Sequence, residues 1–131
     1  MVRRHEDWMR QARRKLESGR WDLEGRFYED ACFSAQQAAE LAAKAWLESQ
    51  GRREMGHSVL QLLEKGGAVP LDVQHAARVL DGYYIPPRYV NGFAAGAPMD
   101  YYDAETASAA LNHAERIIRF VAGHLEGLSA D

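Results

Sequence analysis

The stretch Tyr28-Glu-Asp-Ala-Cys-Phe-Ser-Ala-Gln-Gln-Ala-Ala-Glu-Leu-Ala-Ala-Lys-Ala-Trp-Leu-Glu-Ser-Gln50 decides the fold. It holds no Gly, no Pro and no β-branched side chain, so nothing in it opposes a helix. Ala31, Ala35, Ala38, Ala39, Ala42, Ala43 and Ala45 add intrinsic helicity, because alanine loses no side-chain entropy on ordering. Their small size also lets neighbouring helices approach closely. Phe27, Phe33, Leu41, Trp46 and Leu47 supply bulk, and Gly51 closes the segment. The pattern predicts a central helix over residues 22–50.

Outward from it, the same periodicity continues. Residues 4–17 carry Trp8, Ala12 and Leu16 at steps of four, a one-faced helix that Ser18-Gly19 is expected to end. After the charged linker Arg52-Arg53-Glu54, residues 57–64 predict a short helix with Val59, Leu60, Leu62 and Leu63 on its apolar side, terminated by Gly66-Gly67. Pro70 suits a first helical turn, and Val73, Ala76, Ala77 and Leu80 follow at helical spacing up to about Tyr84. Pro86-Pro87 then forbid continuation. Residues 86–102 read as a long irregular connection, a feature that is often functional. Asp103 is positioned as N-cap of a last helix, whose Leu111, Ala114, Ile118, Val121 and Leu125 form a bundle-facing seam. The expected architecture is all-α: an up-and-down bundle of about five helices in a single domain over residues 1–131, with no strand and no repeat.

Composition narrows the function. Apolar residues at 47% and charged residues at 27% describe a globular chain. No apolar run approaches the roughly 20 residues that cross a bilayer, and the charged start Met1-Val2-Arg3-Arg4 has no leader-like apolar stretch, so a cytoplasmic location is expected. A net charge of −3 argues against broad attraction to nucleic acid, although Arg3, Arg4, Arg10, Arg13, Arg14, Lys15, Arg20 and Arg26 leave room for a local basic face. The lone Cys32, between Ala31 and Phe33, reads as a small buried hydrophobe. No metal-ligand spacing, phosphate-cradling glycine loop or serine nucleophile motif occurs, and no cofactor is implied.

An ordered set of residues resembles the HEPN family. The segment from Tyr28 through Gln37-Ala38, Glu40, Lys44-Ala45 and Leu47 resembles its long second helix. Gly51, His57 before a helix ending in Leu62-Leu63, and Tyr84-Ile85-Pro86-Pro87-Arg88-Tyr89 before the last helix follow in the family's order, over roughly residues 5–122. The resemblance implies antiparallel helices, dimers or higher oligomers, and pairing with a minimal nucleotidyltransferase. Some members look like ribonuclease toxins of toxin–antitoxin pairs. Others are non-catalytic and are described as nucleotide- or substrate-binding subunits.

The ribonuclease members carry a His four to six residues after an Arg near the last helix, because phosphate charge needs a cation and the proton transfer needs an imidazole. Arg88 has no His in that window, so no catalytic residue is assigned. Arg52 with His57 and Arg119 with His124 match the spacing elsewhere, away from the family's catalytic place. Six residues are candidates for binding a nucleotide or other ligand. Arg88 offers a planar fork for phosphate, and Tyr89 a ring for a base; the pair could equally be a salt-bridged loop anchor. Gln37, Glu40 and Lys44 share one helix face, either as a surface ion pair of about 0.3–0.5 kcal/mol or as a polar groove touching a site. His57 reads as a helix N-terminal residue on a backbone carbonyl or as a ligand contact. Tyr83, Tyr84, Tyr89, Tyr101 and Tyr102 gather around the same connection, suiting an oligomer interface or a stacking surface. The expected function is a non-catalytic HEPN protein that self-associates, pairs with a minimal nucleotidyltransferase and binds a nucleotide. A ribonuclease toxin using Arg88 with Tyr101, Tyr102 or His57, and a purely structural dimerisation module, are the alternatives.

Overall fold

A computed structural model describes residues 4–129, with side chains through residue 126. Five α-helices follow in order: α1 (Arg4–Glu24), α2 (Tyr28–Ser49), α3 (Val59–Gly66), α4 (Leu71–Asp81) and α5 (Ala104–Ser129), with no strand among the described residues. Helix α2 packs against each of the other four. Gly19 of α1 meets Ser34 of α2 and Leu111 of α5, while Trp46, near the other end of α2, meets Phe120 and His124 of α5. Helices α2 and α5 therefore run the same way. The tight turn at residues 25–27 folds α1 back along α2.

The alanine run does what its size dictates. Ala31, Ala35, Ala38, Ala39, Ala42, Ala43 and Ala45 are all fully buried, so α2 is enclosed on most of its circumference. The predicted seam of α5 is buried throughout, as are Val73, Ala76, Ala77 and Leu80 of α4. Cys32 is buried too, and burial pushes its thiol up to about 12, which leaves it an inert apolar filler.

The structure corrects several boundaries. Ser18-Gly19 does not end the first helix: α1 continues to Glu24, and Gly19 lies buried inside it. A side-chain carbon there would stand 2.7 Å from Leu111 Cδ2 and 3.1 Å from Ser34 Cβ, so the glycine serves a three-helix contact rather than a turn. The turn comes later, where Arg26 adopts a positive φ of 66°. Helix α2 consequently starts at Tyr28 rather than residue 22, and Phe27 is 56% exposed instead of supplying core bulk. Helix α3 starts at Val59, capped by Ser58, whose Oγ accepts from Gln61 N at 3.2 Å. Gly66 ends it as predicted, and for a second reason: a side-chain carbon there would lie 2.5 Å from the Trp46 ring. Helix α4 stops at Asp81, short of Tyr84. The 86–102 connection contains three single-turn 3-10 helices, Pro86–Arg88, Val90–Gly92 and Pro98–Asp100. Asp103 caps α5 as expected, Oδ1 accepting from Thr106 N at 2.8 Å. Of the basic N-terminal residues, Arg3 lies outside the described residues, Arg4 and Arg10 share Asp7, and Arg20 pairs with Glu115.

Candidate functional site

Among the described residues, the buried polar side chains Ser34, Gln36 and Glu40 all sit on α2. Gln36 and Glu40 are buried, at 0% and 6% exposure, in a helix otherwise lined with alanine. Stranded polar groups there would cost about 1–3 kcal/mol each, so their partners matter. Glu40 Oε2 accepts from Lys44 Nζ at 3.0 Å, while Oε1 accepts from Gln36 Nε2 at 3.2 Å and faces His57 Nδ1 at 3.1 Å. Gln37 Nε2 donates to Gln36 Oε1 at 2.7 Å and reaches Glu40 at 3.5 Å. The predicted row is thus a partly buried polar network rather than a surface ion pair, and Gln36, one residue off the predicted face, joins it.

That network fixes His57. The second amide hydrogen of Gln36 goes to the His57 carbonyl at 3.0 Å. The following residues are clamped by Asp81 at the end of α4, which accepts from Ser58 Oγ at 2.8 Å and from Val59 N at 2.6 Å. With its backbone held, the His57 ring places Nδ1 on Glu40 and not on a backbone carbonyl, which removes one of the two readings the sequence allows. A carboxylate on Nδ1 selects the tautomer that leaves Nε2 as an acceptor. The His57 side chain is 55% exposed.

The other face of the arrangement comes from the proline-flanked segment. The Tyr84 ring stacks on His57 at 4.3 Å, with planes 16° apart. The Arg88 guanidinium lies 4.5 Å from the Tyr84 ring centre, 4.5 Å from that of Phe33 and 5.1 Å from that of Tyr89. Its Nε donates to the Tyr84 carbonyl at 2.7 Å. Among the described residues Arg88 forms no ion pair, so the salt-bridged anchor is replaced by three aromatic faces and one carbonyl. The terminal nitrogens of an exposed, flat guanidinium remain for an anion. Arg88, Tyr89, His57, Glu40, Gln37 and Lys44, six positions spread over residues 37–89, form one continuous strip.

The tyrosines divide into two groups. Tyr84 and Tyr89 surround Arg88, whereas Tyr101 stacks on Phe93 at 4.1 Å and Tyr83 meets Tyr102 edge-on at 5.9 Å. The second group packs the connection onto itself, and burial pushes the Tyr102 phenol up to about 12. The two spacing matches come apart. Arg52 pairs with Glu54 at 3.2 Å, and Arg119 pairs with Glu115 at 3.1 Å. His124 packs on Trp46 instead. A histidine does share a neighbour with Arg88: His57, just before α3, and Arg88 both contact the Tyr84 ring. Sequence spacing could not find it, because Tyr84 joins the two only in space.

The family model of the HEPN domain matches residues 5–125. The chain belongs to the HEPN family. It is similar along nearly its whole length to three solved structures. TT1696 from Thermus thermophilus is 41% identical with a TM-score of 0.90, covering 93% of this chain and 98% of that one. An archaeal HEPN homologue, ST0689, is 41% identical with a TM-score of 0.83, covering 96% and 100%. A HEPN domain protein from Thermotoga maritima, tm0613, is 34% identical with a TM-score of 0.72, covering 91% and 97%. No curated protein matches. Among the described residues of this HEPN chain, no helix is long and apolar enough to cross a membrane.

Proposed function

We propose that this chain, a single HEPN domain over residues 1–131, is a non-catalytic subunit that binds the phosphate of a nucleotide at Arg88, self-associates and pairs with a minimal nucleotidyltransferase. The observation that carries the reading is the state of Arg88: held flat among Phe33, Tyr84 and Tyr89, anchored through Nε, and without an ion pair among the described residues. A guanidinium so prepared loses little entropy on meeting phosphate and offers two parallel donors to it. Tyr89, 46% exposed, supports stacking on a base. Ile85, Val90, Met99 and Tyr101 expose apolar surface along the same segment, which suits burial against another protein chain.

Calorimetry of the purified chain with ATP, AMP and adenosine tests the binding. Phosphate-dependent heat that disappears in Arg88→Ala is expected; adenosine binding as well as ATP, or an unaltered variant, would refute the assignment. Pairing is tested by co-purification with a minimal nucleotidyltransferase from the same genome, where complete failure to associate at micromolar concentration refutes that part.

One observation favours a ribonuclease as the second reading. The His57 imidazole, oriented by Glu40, and the Arg88 guanidinium both contact Tyr84, and a proton carrier and a cation are the two groups that phosphodiester cleavage requires. RNA cleavage that is lost in both Arg88→Ala and His57→Ala would replace the first reading with this one.

A further inference from the structure

Away from that strip, α4 and α5 bring two imidazoles face to edge. The rings of His75 and His113 have centres 5.6 Å apart, with planes at 77°. Neither ring has a hydrogen-bond or ion-pair partner among the described residues, although His113 is only partly exposed. His75 is exposed, so both rings are reachable from solvent and neither is committed to a protein partner.

We infer that His75 and His113 form a two-imidazole site for a borderline divalent cation of the zinc class. Two imidazoles on one tetrahedral zinc, at Zn–N distances of about 2.0–2.1 Å, have ring centres about 5 Å apart. The observed 5.6 Å is close enough for a small side-chain rotation to complete the chelate. The scaffold is rigid, because Ala76 and Ala77 beside one ligand and Ala114 beside the other are fully buried. Arg116 lies near His113. The charge of Arg116 is itself offset by Asp72, one turn from His75, at 2.8 Å. Among the described residues no third His, Cys, Asp or Glu completes a cluster, so the remaining positions belong to water or to donors from another molecule. With two protein ligands it suits a regulatory or assembly metal better than a structural one, which takes four.

The test is calorimetry of the untagged chain with zinc chloride, beside His75→Gln and His113→Gln, with imidazole proton resonances followed by NMR. One zinc per chain, weakened by roughly tenfold or more in each variant, with the His75 and His113 resonances shifting together, is the expected result. Both substitutions lie toward the surface of the α4–α5 contact, and unchanged thermal melts of the variants without metal confirm that folding is intact. Absence of heat up to millimolar zinc, or binding that survives both substitutions because His5, His57 or His124 holds the metal, would overturn the assignment.

Discussion

Helix α2 and the Tyr84–Tyr102 segment supply the two halves of the candidate site by opposite means. On α2, polar groups are buried among alanines, and every one of them is answered by a neighbour. On the segment, apolar rings are exposed, and the one cation they surround has donors to spare. The first arrangement is costly to disturb and therefore fixes position. The second is cheap to alter in the free protein and gains its interactions when something binds. A site needs both: a rigid part that orients His57 and a receptive part that carries Arg88.

The comparison breaks most visibly at Glu40. Glu40→Ala would strand the ammonium of Lys44, whose side chain is 16% exposed, and remove the acceptor for Gln36 and His57. A loss of about 3 kcal/mol in urea unfolding is expected, with Glu40→Gln costing less because it keeps an acceptor. A surface-like loss below about 0.5 kcal/mol would show that the network is not the rigid half. Next is Gly19. Its Cβ position is closed by Leu111 and Ser34, so Gly19→Val should cost about 2 kcal/mol despite the gain in chain stiffness. Gly123 of α5 faces open space, and Gly123→Ala should stabilise by about 0.5–1 kcal/mol, which the same unfolding experiment resolves.

Arg88→Ala sharpens the other half. Its stability loss should be about 1 kcal/mol, the cost of one exposed hydrogen bond and the exposed ring contacts, while any phosphate affinity collapses. The smallest effect is one of pH. The folded-state pKa of His113 lies below its unfolded value of 6.5, so its contribution to stability is present above that value and is lost as pH falls through the lowered one. Thermal melts from neutral to mildly acidic pH should decline less steeply in His113→Gln than in the parent chain.

Much of this is legible in the residues. The alanine run, the α5 seam from Leu111 to Leu125 and the Asp103 cap each follow from local spacing and stand where expected. Gly19 misleads because a glycine that ends a helix and a glycine that admits another helix look identical along the chain. The second case depends on Leu111, remote in sequence, approaching to 2.7 Å of where a side chain would begin. Gln36 escapes notice for a related reason: it lies off the Gln37–Glu40–Lys44 face, and only the His57 carbonyl arriving at the network gives it a role.

The amino-acid order alone determined that helices form, roughly where they stop and which stripe of each is apolar. Those properties come from side-chain entropy, size and hydrophobic period, all of which act within a few residues of one another. Tertiary structure decided which imidazole meets which partner: His57 with Glu40 and Tyr84, His113 with His75, and none of them with the arginines at matching spacing. Proton carriers and metal ligands act over a few ångströms of space, and in a bundle that space is set by how alanine-lined helices close upon each other.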